Sequence, residues 1–261
     1  MNILDQEFDI DKYLKEVLKI SEQAYINIIQ KTANLPLDQR YNIIAREVLR
    51  TEQEIKNYFN KDPKYIDAVK KYLTNYDLLN IENEKIFNKQ DINIKSQLRN
   101  MTEGQRLIMN SVIDGLSANG MSGAFIKPLT NILSSNAIVG TGFKDVKKYL
   151  SERINSNEGR RYINQVTTDS LRKYDGTIKT IVAQEWKLNC IKYIGSVIKD
   201  SRPQCKRWHN MGTIKKEDLA KEIRWAEKYG SGMIEGTTPD NFLINVGGYN
   251  CRHTAIPFRC K

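Results

Sequence analysis

Two cysteines and both histidines of the chain fall in one short stretch. Cys205 and His209 are separated by three residues, and Cys251 and His253 by one. Two thiols and two imidazoles are the donor set of a tetrahedral structural zinc site. A three-residue gap can place Cys205 and His209 on one face of a turn, and in a strand Cys251 and His253 project from the same face. The competing reading is a set of small buried thiols and hydrogen-bonding rings in a β–α–β core. The absence of a second C-x2-C knuckle favours that core reading over zinc. A Cys–His nucleophile would pair Cys251 with His209, or Cys205 with His253, and needs a third group to orient the ring. No catalytic-family signature surrounds either cysteine.

Three further features bear on chemistry. Asp200, Arg202 and Pro203 form a turn-like Asp-x-Arg-Pro element. Its aspartate suits bonding to backbone amides and to a distant arginine such as Arg252, which points to structural pinning. Lys206, Arg207 and Trp208 offer a stacking ring beside two cations, as in single-stranded nucleic-acid contacts. Alternatively, Trp208 packs beneath the Cys205–His209 turn, and the sequence leaves both readings open. Gly140-Thr141-Gly142 and Gly230-Ser231-Gly232 are too short for phosphate loops and lack the Gly-Lys-Ser/Thr ending.

These residues need a scaffold. The chain has 261 residues, 40% hydrophobic and 28% charged, enough for one large or two small globular domains. The net charge of +10 is uneven, with +2 on residues 1–150 and +8 on 151–261. A basic half of this kind suits nucleic acid or an acidic protein surface. The acidic N-terminus lacks signal-peptide character, and no apolar run reaches the roughly 20 residues of a bilayer span. The expectation is a chain folded in a reducing cytoplasm, without membrane contact and with free or metal-bound thiols.

Apolar residues at three- and four-residue spacing predict helices over most of the first 185 residues. One carries Tyr13, Leu14, Val17 and Ile28. A second runs over 37–58, and a third opens at Asp62-Pro63. Residues 80–100 read as a helix–linker stretch, and 118–123, rich in Gly and Asn, as a break. A long helix is predicted over 158–185, with Asp175-Gly176 a place to bend. After Trp186 the period changes to two, which predicts a strand over 188–198. A helix over 215–229 with Thr213 as its cap, a glycine-rich loop over 230–248 and a return strand over 249–258 complete the chain. The fold class is α+β: a mainly helical N-terminal region (1–100), then a helical domain with a small antiparallel sheet (101–261).

The C-terminal motifs resemble those of phage Mu-F-like minor head proteins, the phage head morphogenesis family. The stretch 192–205, ending Asp200-Ser201-Arg202-Pro203-Gln204-Cys205, looks like the family's strand and Asp-x-Arg-Pro/Thr-x-Cys turn. Gly248-Tyr249-Asn250-Cys251-Arg252-His253 looks like its closing Asn-Cys-Arg-Cys/His signature. Residues 161–170 look like a degenerate form of an upstream family helix, and His209 and Gly212 stand where the family has a His or Leu-x-Gly element. The match covers about 100–258 and is specific over 192–253. It implies a virion component assembled in the host cytoplasm, at the portal vertex or capsid interior. The implied partners are the portal protein, the major capsid protein and packaged double-stranded DNA. In that family Asp200, Arg202, Pro203, Cys205, Asn250, Cys251, Arg252 and His253 would maintain the fold, with no enzymatic role. The rival expectation is a zinc- or cysteine-dependent hydrolase or nuclease acting on nucleic acid.

Overall fold

The computed structural model describes residues 3–249, 251 and 253–260. It is mainly helical with one three-stranded antiparallel sheet, the α+β class expected. The chain folds as two compact units. One comprises residues 7–72 and 110–166, and the other residues 1–6, 73–109 and 167–261. This division departs from a cut at residue 100. Residues 7–72 and 73–109 fall in different units, because the buried partners of 73–109 lie toward the C-terminal end of the chain.

The first unit is all helix. It contains α1 (Asp11–Thr32), α2 (Leu37–Lys61), the start of α3 (Pro63–Asn88), the end of α5 (Thr102–Leu116), α6 (Ala118–Met121), α7 (Lys127–Val139), α8 (Phe143–Ile154) and α9 (Asn157–Val166). Asp62 caps α3, its side-chain oxygen accepting from the Tyr65 amide at 2.8 Å, with Pro63 in the first turn as the sequence predicts. The periodic residues Tyr13, Leu14, Val17, Ile28 and Ile55 are all buried. Phe8, Tyr13, Tyr58, Phe59 and Tyr65 form an aromatic cluster of mostly edge-on rings. The expected break at 118–123 is instead helical, and one π-turn over Ser122–Ile126 joins α6 to α7. One of the glycines that suggested a loop serves packing here: a Cβ on Gly120 would strike the carbonyls ending α5.

The second unit holds the sheet. Strands β1 (Cys190–Ile194), β2 (Thr213–Lys215) and β3 (Thr254–Phe258) pair antiparallel in the order β2-β1-β3. The predicted pairing of the return strand appears with Tyr193 opposite Ala255, and Ile191 stands opposite Ile214 on β2. The strand predicted over 188–198 stops at Ile194. Gly195 follows at φ +151, where a Cβ would lie 2.5 Å from the His253 ring. The first residues of the predicted helix over 215–229 are taken by β2 and a 3-10 turn, so α12 spans Leu219–Tyr229 and Thr213 is no cap.

Helix α10 (Thr168–Glu185) lies along α13 (Phe242–Asn245), β3 and the short α4 (Lys95–Asn100). The helix predicted over 158–185 therefore breaks at Thr167 rather than at Asp175-Gly176. Gly176 is helical and lets the backbone of Leu243 and Ile244 approach α10 closely. The end of α3 also meets α10: Tyr76 packs edge-on against Tyr174, whose hydroxyl reaches Asn80 at 2.8 Å. Two thiols are neither free nor near a metal set, contrary to expectation: Cys190 and Cys260 form a disulfide. Cys190 stands opposite Phe258 at the end of the β1–β3 register and Cys260 follows two residues on, with their Cα atoms 5.6 Å apart. No helix among the described residues is long and apolar enough to cross a membrane.

Candidate functional site: a buried Cys–Cys–His cluster

The site is built from β1, helix α11 (Pro203–Met211) and the loop that leads into β3, all within the second unit. On β1, Ile191 and Tyr193 share the inward face. Helix α11 opens with Pro203 in its first turn, where the missing N–H costs nothing. Its inward side carries Gln204, Cys205 and Trp208, and Trp208 is fully buried against Tyr193 and Phe242.

Arg202 and Gln204 fasten the glycine-rich loops to the helix start. Arg202 donates to the Gly247 carbonyl at 2.9 Å and to the Tyr249 carbonyl. Gln204 exchanges bonds with the Ser231 backbone, donating at 2.6 Å and accepting at 3.2 Å. The loop so held turns at Gly247, whose φ of +65 and lack of a side chain leave room for the Cys251 thiol and the Tyr193 hydroxyl, the latter 2.8 Å from where a Cβ would sit.

The result is a cluster of four polar groups in an apolar core. Cys205 Sγ lies 3.8 Å from Cys251 Sγ, and Cys251 Sγ lies 3.6 Å from His253 Nδ1. The Tyr193 hydroxyl sits 3.3 Å from Cys205 Sγ and 3.6 Å from Cys251 Sγ, and its ring stacks on that of His253. Cys205, Cys251 and His253 are all buried. Hydrogen bonds from the Cys205 thiol and from His253 and Tyr193 hold the Cys251 thiol below its ordinary range despite burial. The Cys205 thiol is correspondingly raised, first by its bond to Cys251 and then by burial. Burial, with the two sulfurs beside it, also raises Tyr193. The arrangement is a buried dithiol in which Cys251 is the more acidic of the two sulfurs.

The residues singled out by sequence divide clearly. Cys205, Cys251 and His253 come together, and they are the one group of three such donors within 4.8 Å among the described residues. His209 does not join them. Trp208 takes the inward position in the second turn of α11, and His209 is exposed in its last turn. The pairing of Cys251 with His209 is therefore lost; in the alternative pairing Cys205 comes within 4.8 Å of His253, and Cys251 lies closer still at 3.6 Å. Asp200 is exposed beyond β1. Asn250 and Arg252 lie outside the described residues.

The nucleic-acid reading of Lys206, Arg207 and Trp208 is corrected by burial. Trp208 is 0% exposed and presents no face to a base. Arg207 binds the Glu222 carboxylate through two nitrogens at 2.6 and 2.8 Å, while Lys206 reaches the Lys199 carbonyl.

Four residues were not legible as parts of this assembly. Tyr193 read only as a strand position, and Gln204 as filler between Pro203 and Cys205. Glu222 is a buried carboxylate that accepts from both Arg207 and the Trp208 indole nitrogen. Its only sequence signal is its place on the apolar-flanked face of α12. Asp175 forms a buried ion pair with Lys179 at 2.6 Å, one turn apart on α10, a spacing that the sequence does display.

A thiolate beside an imidazole is chemically competent for nucleophilic attack, but here it lies within the core. Cys251 and His253 line a cavity of about 40 Å³ that also touches Asp175, Asn245 and Thr254. That volume takes a water molecule or an ion, well short of the roughly 300–1,000 Å³ of a substrate pocket. No protein-family model matches the chain, nor does any curated protein or solved structure.

Proposed function

We propose that this chain is a phage minor head protein acting in head morphogenesis, at the portal vertex or within the capsid, without enzymatic activity. The observation that carries the reading is how the motif residues are used. Arg202, Pro203, Cys205, Cys251 and His253, which carry the resemblance, converge on one closed assembly that ties α11 to the loop before β3. None of them is presented to a pocket of substrate size. Residues that maintain a fold, with surfaces left free for partners, are what a head-assembly role requires. The hydrolase or nuclease alternative has the Cys251–His253 pair in its favour and the small volume of the cavity beside it against it.

The partners in this reading are the portal protein or the major capsid protein, with packaged DNA met by the basic half of the chain. Basic surfaces bind DNA through counterion release, so that contact would weaken steeply with salt. The test is co-expression with the portal and capsid proteins of the same genome, followed by co-purification. Association with either, together with absence of nuclease activity, is expected. Failure to bind both, or nuclease activity lost in Cys251→Ser with the fold intact, would overturn the proposal.

A further inference from the structure

We propose that Cys205, Cys251 and His253 form a binding site for one zinc ion, which clasps α11 to the segment entering β3. This inference is independent of the head-protein reading. It stands on the shape of the donor set. A tetrahedral zinc ion with Zn–S near 2.3 Å and Zn–N near 2.0–2.1 Å requires an S···S edge of about 3.8 Å and an S···N edge of about 3.6 Å. Cys205 Sγ and Cys251 Sγ are 3.8 Å apart, and Cys251 Sγ and His253 Nδ1 are 3.6 Å apart. All three donors lie within 4.8 Å of one another, so the remaining edge closes with a small side-chain rotation.

Two further observations point the same way. The Tyr193 hydroxyl lies 3.3 and 3.6 Å from the two sulfurs, near the fourth corner of the same tetrahedron, where it or a water completes the coordination. His253 Nε2 is buried with no hydrogen-bond partner. When Nδ1 binds a metal, Nε2 carries the proton and needs an outer acceptor. His253 lines the cavity of about 40 Å³, which has room for a water in that role.

The balance of the step is simple. Zinc takes the place of the thiol protons on Cys205 and Cys251, which leave to solvent, and no electrons are transferred. Two soft thiolates and one imidazole select zinc over magnesium or calcium. The ion would join segments 46 residues apart in sequence. His209, exposed on the last turn of α11, is not a ligand.

The experiment uses the full chain, reduced, equilibrated with zinc chloride, freed of loose metal and assayed for metal per chain. A parallel cobalt(II) sample reports thiolate coordination by its charge-transfer absorption. Cys190→Ala/Cys260→Ala serves as a control that removes the other two thiols. One ion per chain is expected in both backgrounds, with His209→Gln unchanged. Cys205→Ser, Cys251→Ser and His253→Gln, each checked for fold by circular dichroism, are expected to weaken binding by more than about 100-fold, since even outer-shell partners cost about 10–100-fold. Failure of the reduced wild-type chain to take up zinc would overturn the proposal, whatever the variants do. So would full occupancy in a folded Cys251→Ser, or a Cys205–Cys251 disulfide found by peptide mapping in place of metal uptake.

Discussion

Removing the ammonium of Lys179 should cost the second unit far more than removing the whole Asp175–Lys179 pair. Lys179 is 2% exposed and Asp175 4%, one turn apart on α10. Lys179 Nζ donates to Asp175 at 2.6 Å and to the Thr254 hydroxyl at 2.7 Å, so the pair links α10 to β3. In Lys179→Met the donors that the carboxylate keeps among the described residues are neutral, the Asn83 amide at 2.8 Å and the Thr254 hydroxyl at 3.3 Å. Breaking a buried pair costs about 3–5 kcal/mol, because a charge is left uncompensated in a region of low polarity. The two surviving donors place this case at the lower end, about 3 kcal/mol. Converting both partners to apolar residues, Asp175→Leu with Lys179→Met, removes the stranded charge and should return stability to within about 1 kcal/mol of the wild type. Asn83 still donates to the Leu79 carbonyl in the double variant. The assay is urea unfolding followed by tryptophan fluorescence. The chain has three tryptophans, and Trp186, Trp208 and Trp225 all lie in the second unit, so the signal reports that unit alone. With a slope of about 2 kcal/mol per molar urea, the single variant shifts the midpoint down by about 1.5 M. A single-variant cost below about 1 kcal/mol, or a double variant as unstable as the single, would refute the reasoning.

Three other outcomes are expected. Glu222 is held below its ordinary carboxyl range, chiefly by its hydrogen bonds from Arg207, so its stabilising contribution is present above the usual 4.5 and is lost as pH falls through the depressed value. Urea midpoints measured by tryptophan fluorescence should therefore decline below about pH 4.5, and Glu222→Gln should flatten that part of the profile. Opening the Cys190–Cys260 disulfide, which closes a separation of 70 residues, should cost up to about 4 kcal/mol through the unfolded chain, read as the midpoint difference between oxidised protein and Cys260→Ser. Gly247→Ala would push a methyl group toward Cys251 and Tyr193 at a φ of +65, and should lower the same midpoint by the equivalent of about 1–3 kcal/mol, whereas Gly212→Ala, with open space around it, tests the backbone cost alone.

Much of the architecture was legible because it rests on local periodicity. The helical spacing of Tyr13, Leu14, Val17 and Ile28 reports a face that the structure buries, and the period-two run after Trp186 marks β1, where Ile191 and Tyr193 are buried while Ile194, Val197 and Ile198 are exposed. The misreadings share a cause. Gly120 suggests a break and Gly176 a bend, yet both lie in helices, where a missing side chain admits a neighbouring backbone. A glycine's role depends on what approaches it from elsewhere in the chain, and that is not written in its local sequence. The same limit hid the division into units: nothing local in residues 73–109, read as the end of one helix and a helix–linker stretch, shows that their partners lie about a hundred residues away.

The site shows where local reading ends and long-range packing begins. Cys205, Cys251 and His253 stood out by rarity, and rarity alone also promoted His209, the nearest histidine in sequence to Cys205. Helix spacing alone would keep His209 near the Cys205 face, and burial of Trp208 removed it. A buried face needs an inward residue in each turn, and on α11 Trp208 supplies far more apolar surface than His209 could. The place beside the two sulfurs fell instead to Tyr193, fixed by the pairing of β1 with β3 and by ring stacking on His253. An aromatic in a strand carries no local mark of its partners, so its role emerges only once Arg202 and Gln204 have drawn the loop at Gly247 against the helix start. The chemistry of the cluster is thus set by residues that hold backbone in place as much as by the sulfurs themselves. For that reason Arg202→Ala, which leaves every thiol and imidazole intact, should loosen the Cys205–Cys251–His253 geometry and weaken zinc binding by about 10-fold or more. Metal affinity unchanged in folded Arg202→Ala would show that the donors find their positions without the clasp.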